Sequence, residues 1–185
     1  MFILYALVAG VVTGFVRGGS LLALGQIQLR WAPLILIGFL TQIVLFTDAV
    51  AARVGDAGPP LYVASTLLVA IAVLRNLRIP GVALIAAGAL SNMAAILANG
   101  GFMPAAPGAL ASLGKGAPTV YSNSSVVAQP ALALLTDRFA MPAWIPFANI
   151  FSVGDMLLGV GVIVLIYCVM TAGPRRPAPD RAAAA

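Results

Sequence analysis

The sequence predicts an all-α integral membrane protein with five transmembrane helices and a long outer loop containing short interfacial helices. Three observations carry this expectation. Of 185 residues, 62% are hydrophobic and 8% are charged, against about 25% charged in an ordinary soluble domain. Mean hydropathy is +1.06. Apolar runs that meet or approach the roughly 20 residues of a bilayer span recur along the chain.

The first run, Phe2 to Val16, is stopped by Arg17-Gly18-Gly19. Its positive charge follows the apolar core, whereas a secretory signal places charge before it, so this run reads as a retained helix. The second run extends from about Trp31 to Val50 and stops at Arg53-Val54-Gly55-Asp56 and Pro59-Pro60; the third, Leu61 to Leu74, closes at Arg75. The first and third are short, which snorkelling arginines at their ends make good. The fourth, Pro80 to Ala98, has a proline suited to a first helical turn and Gly100-Gly101 suited to a stop. The fifth spans about Ser152 to Ala172 and closes at Gly173-Pro174. Residues 1–173 thus form a single transmembrane domain, and the Pro/Ala/Arg-rich 174–185 a disordered cytoplasmic tail.

Positive charge orients the spans. Arg17, Arg30, Arg75, Arg78, Arg175, Arg176 and Arg181 fall on one side, seven in all, against three on the other, Arg53, Lys115 and Arg138. The positive-inside rule then predicts a multi-pass protein of the cell membrane with its N-terminus outside and its C-terminus cytoplasmic. Residues 17–30 carry five Leu or Ile between two arginines, which suits a segment lying in the cytoplasmic headgroup region. The outer connection, residues 99–148, is too long to lack structure. Pro107 to Leu113 and Pro130 to Phe139 each read as a short helix opened by proline. Trp144 suits the aromatic belt, and Asn123-Ser124-Ser125 is formally a glycosylation acceptor.

Without histidine and with one cysteine, the chain lacks the usual zinc, haem and iron–sulfur ligand sets and the Ser-His-Asp and Cys-His nucleophile systems. No metal and no cofactor is expected. The net charge of +5 comes from scattered Lys and Arg, so membrane topology explains it and no nucleic-acid partner is expected. The expected partners are the lipid bilayer and either a membrane-protein partner or further copies of the chain. Small residues four apart, Ala6-Gly10-Gly14-Gly18 and Ala83-Ala87-Ser91-Ala95, mark two close-packing helix faces.

Asp155 is the acidic residue inside the last expected span. A carboxylate at mid-bilayer costs about 2.5–3.5 kcal/mol, which makes it a site candidate. Ser152-Val153-Gly154-Asp155 also fits a capping box, on which reading Asp155 satisfies the helix start near the outer interface. Asn92 and Asn99, seven apart, share a helix face, and Asn149, Ser152 and Asp155 cluster on another. Asp155, Asn99, Asn92, Asn149 and Ser152 are therefore the candidate ligand-binding residues, with Asn99 and Asp155 expected within about 10 Å of each other.

Asn99-Gly100-Gly101-Phe102-Met103-Pro104, with the stretch Pro146 to Asp155 that includes Phe151-Ser152-Val153-Gly154-Asp155, resembles the paired signatures of a bacterial family of small integral membrane proteins. That family is a domain of unknown function, so the resemblance implies a membrane protein in which residues 99–104 and 149–155 matter, and implies no reaction. Three functions compete. One is a non-enzymatic accessory or assembly protein of a membrane complex. Another is a small-solute or lipid-headgroup binding or permeation protein with its polar site near the outer end of the fourth and fifth segments. The third, an enzyme, has only Asp155 or Asp137 as general acid or base.

Overall fold

The computed structural model describes residues 2–114 and 124–172, and is mostly helical. Its helices are α1 (Phe2–Val16), α2 (Ala32–Leu45), α3 (Asp48–Ala51), α4 (Gly58–Leu74), α5 (Val82–Ala98), α6 (Pro107–Ser112) and α7 (Val153–Thr171). The tail, Lys115 and the Asn123 acceptor lie outside the described residues. Among the described residues, two helices are long and apolar enough to cross a membrane, Gly55–Leu74, in which a 3-10 turn leads into α4, and Val153–Thr171; Phe2–Val16, Ala32–Leu45 and Val82–Ala98 are shorter apolar helices.

The long helices form an open row rather than a closed bundle. Packing runs α1 on α7, α7 on α5, α5 on α4 and α4 on α2, so α1 and α2, consecutive in sequence, occupy opposite edges. Residues 17–31 join them by running beneath the row. The Ser20 N–H donates to Met170 O at 2.9 Å, a 3-10 turn follows over Leu21–Gln26, and the buried Asn76 closes the far end. There the Arg30 N–H donates to Asn76 Oδ1 and Asn76 Nδ2 to Arg30 O, both at 2.8 Å. This strap defines one end of the row; the other carries the long loop.

Glycine sets how closely the helices approach. On α1, buried Gly10 and Gly14 abut Ile166 and Met170 of α7, as the stripe predicts, whereas Gly18 has nothing within 4 Å of a would-be Cβ. On α5 the predicted stripe is displaced: Ala83 and Ala87 are exposed. The true contact is Gly81 and Gly88 against α7, where an added Cβ would lie 2.2 Å from Gly161 O and 2.4 Å from Gly154 O respectively. Both pairs are spaced by seven residues, and in antiparallel order they bring the two backbones together. Across the α2–α4 contact, Gln42 Nε2 donates to Thr66 Oγ1 at 3.2 Å.

Two elements differ from the sequence reading. The second apolar run breaks at Leu45, because Thr47 Oγ1 turns back to Val44 O at 2.8 Å and Phe46 packs edge-on against Tyr62; residues 48–51 then form the separate turn α3. The expected helix from Pro130 to Phe139 is absent. Its place is taken by a 3-10 turn at Ala133–Leu135 and strand β3 (Phe139–Ala140), because the chain pairs with distant strands: β3 is antiparallel to β4 (Ile150–Phe151), and Ala105 bridges Asp137. The helix expected over Pro107 to Leu113 forms as α6. Ahead of it, β1 (Met103–Pro104) pairs in parallel with β2 (Ser124–Ser125). Met103 enters the core with Leu45, Tyr62, Ala95 and Ile96, while Ala105 joins Ala109, Leu110 and Ile150 in a second cluster inside the loop.

Candidate functional site

The site is built on the start of α7. Ser152 is fully buried and extended, and as N-cap it accepts from the Asp155 N–H at 3.0 Å, while Asp155 Oδ2 accepts from the Ser152 N–H at 3.0 Å. This is the capping box read in Ser-x-x-Asp; it satisfies two helix N–H groups and sets the carboxylate at the positive end of the helix dipole. Ser152 Oγ also lies 3.1 Å from Asp155 Oδ2.

The cap is closed from the neighbouring helix. Asn92 Nδ2 donates to Asp155 Oδ1 at 2.9 Å, and Ser152 Oγ donates to Asn92 Oδ1 at 2.8 Å. Asn92 reaches that position because Gly154 has no side chain: a Cβ there would stand 1.9 Å from Asn92 Oδ1. Gly88, one turn earlier on α5, admits the α7 backbone at the same level.

The loop supplies a second acid. The Asp137 N–H donates to Pro104 O and Asp137 O accepts from the Ala106 N–H, both at 2.9 Å, so the backbone of the Asn99–Pro104 segment and its continuation holds this residue in place. Asp137 is 7% exposed, and its Oδ1 is buried without a hydrogen-bond partner. Burial first, and the charge of Asp155 second, push its carboxyl up from 3.8 to about 7. An acid held at the edge of neutrality within electrostatic reach of a fixed carboxylate can take a proton, a small cation or an ammonium group.

Of the sequence candidates, Asn92, Ser152 and Asp155 form one network. Asn99 and Asn149 serve elsewhere. Asn99 ends α5 and clamps the loop, its Nδ2 donating to Ala95 O at 2.7 Å and to Ala131 O at 2.9 Å, with the Ala131 N–H returning to Oδ1 at 2.9 Å. Gly100 and Gly101 follow with φ of +70° and +90°. Exposed Asn149 contributes its carbonyl to the Met141 N–H at 3.0 Å. The start of α7 is therefore met by Asn92, two turns below Asn99, while Asp137 is tied to the Asn99–Pro104 segment through Pro104 O. Asp137 is the one acid of the 99–148 connection, and that solitude was the available signal for it. Ser91 Oγ is a further buried hydroxyl without a partner.

Asp155→Asn is expected to preserve this network. If the Asn92 amide turns over, its carbonyl can accept from the new side-chain amide at position 155 and its NH2 can donate to Ser152 Oγ, which in turn donates to the carbonyl of that new amide. The loss at pH 5 should be about 1 kcal/mol or less, from the weaker dipole interaction. The pH midpoint of Asp137 should fall, because one of its two raising causes is gone. Melting of the detergent-solubilised protein across pH measures both, and an unchanged midpoint would show that the two carboxyls do not interact.

A family model described as a family of unknown function, DUF5317, matches residues 26–167, more than half of the 185-residue chain. The chain belongs to that family. Both motif regions, 99–104 and 149–155, and Asp137 fall inside the matched interval. No curated protein and no solved structure matches the chain.

Proposed function

We propose that this member of the family is a five-span membrane protein that binds a small cation, or the amine of a solute or lipid headgroup, at the polar site of Asp137, Asp155, Asn92 and Ser152. One observation carries the binding reading. A carboxyl oxygen buried with no partner is costly to leave so, and it lies within electrostatic reach of a second carboxylate that Asn92 and Ser152 fix in place. No general base with a substrate pocket accompanies the pair among the described residues, so binding is favoured over catalysis.

The spanning reading rests on the row itself. Its helices present broad apolar faces outward, including Leu36, Ile43 and Val44 of α2, Leu67 of α4 and Val160 of α7. The seven-to-three division of Lys and Arg puts the strap end in the cytoplasm and the loop end, with the N-terminus, outside. Reporter fusions within residues 99–148 are expected to be external. A cytoplasmic result would overturn the topology.

Binding is tested on the purified full chain by melting at pH 8 against sodium, potassium and ethanolamine. A saturable rise with one of them is expected, fading at pH 5 and absent in Asp137→Asn. If none of the three stabilises at pH 8, the binding reading fails. The capping box favours a second reading, the accessory or assembly protein, because it gives Asp155 a structural duty that needs no ligand.

A further inference from the structure

At the strap end, the connector, the turn before α5 and the last turns of α7 enclose a cleft of about 440 Å³. Gln26, Gln28 and Arg78 supply its polar side, and Ile79, Val169 and Cys168 part of its apolar wall. Arg78 is exposed. The described carboxylates, Asp48, Asp56, Asp137 and Asp155, all belong to the opposite end of the row, while Arg17, Arg30, Arg75 and Arg78 gather here. Arg75 has an aromatic partner, its guanidinium lying 5.9 Å from the Trp31 ring centre. Arg78 therefore borders a half-apolar cleft as a cation with no described carboxylate at its end of the row.

We infer that this cleft holds the headgroup of an anionic phospholipid of the cytoplasmic leaflet. Arg78 meets the phosphate as a planar fork of donors. Gln26 and Gln28 offer amide donors and acceptors to the rest of the headgroup, and an acyl chain leaves along Ile79 and Val169. The apolar wall is what selects a lipid over free phosphate: inorganic phosphate matches only the polar side. Basic pockets between spans on the cytoplasmic side bind anionic headgroups by this logic. The inference rests on the proposed topology and is independent of the acid pair.

Cys168 is the only cysteine and is partly buried in the cleft wall, so the unaltered chain carries its own reporter. The full chain is reconstituted in vesicles of phosphatidylcholine, with or without phosphatidylglycerol, and Cys168 is alkylated with a neutral, impermeant polyethylene-glycol maleimide. Phosphatidylglycerol is expected to slow alkylation by about fivefold or more, the worth of one arginine at an anionic surface. Arg78→Gln should remove most of that protection, and Arg53→Gln, at the opposite end, should keep it. Equal rates in the two vesicle types would overturn the lipid site, as would protection by inorganic phosphate in phosphatidylcholine alone. Topology is read separately: alkylation of Cys168 in intact cells by the same reagent added outside would overturn the topology and leave the site standing.

Discussion

Asp137→Asn is expected to make the protein more stable at pH 8 and to flatten its pH dependence. The Asp137 carboxyl is held at about 7 in the fold, against an ordinary 3.8. Between roughly pH 4 and pH 7 the folded protein keeps a proton that the unfolded chain has released, so stability falls as pH rises through that window and levels above it. The total is a few kcal/mol, with about 4 as a ceiling for three units of pKa. Asparagine matches the protonated acid in shape and cannot ionise. The mutant should therefore melt near wild type at pH 5 and roughly 5–10 °C higher at pH 8. A melting temperature lower than wild type at pH 8 would mean that the ionised carboxylate has a partner after all.

The largest loss is expected from Gly81→Ala. The new methyl would stand 2.2 Å from Gly161 O and 2.6 Å from Leu165 N, on a residue whose φ is +83°. Backbone cannot yield as a side chain can. Overpacking and positive-φ strain together should cost about 3 kcal/mol or more. Gly88→Ala, with regular helical φ but 2.4 Å from Gly154 O, should cost about 1–3 kcal/mol and loosen the Asn92 contact with Asp155. Gly108→Ala, which meets nothing within 4 Å, is the control and should be neutral or slightly stabilising. Equal melting of all three would refute backbone-to-backbone packing of α5 on α7.

The helices were legible because their ends are written locally. Arg17-Gly18-Gly19, Arg75, Gly100-Gly101 and Ser152-x-x-Asp155 are stop and start signals that act within one turn. Pairing was not legible. The seven-residue spacing shared by Gly81/Gly88 and Gly154/Gly161 was present in the sequence, but small residues four apart are so common in this chain that they obscured it. Asp137 was legible only as one of two acids an enzyme could use, not as a binding residue, since its burial depends on β1 and the turn beyond it, more than thirty residues upstream. The same long-range pairing replaced the expected helix at Pro130 to Phe139. Helical periodicity put Asn92 and Asn99 on one face, and could not tell which of them α7 would meet.

The order of helices in the row has a consequence for synthesis. Among the helices of the row α1 is made before the others, yet its neighbour α7 is made after them, with α2, α4 and α5 between. While the middle of the chain emerges, the α2–α4 and α4–α5 contacts can form in turn, but the Gly10–Gly14 face of α1 must wait uncovered. Closing the row is thus a late, non-local event, the kind that folds slowly and leaves an intermediate exposed. Synthesis arrested before α7 would leave a three-helix unit with α1 tethered to its far edge by the strap and its Gly10–Gly14 face unpaired, the kind of partly folded chain that chaperones and quality-control proteases recognise.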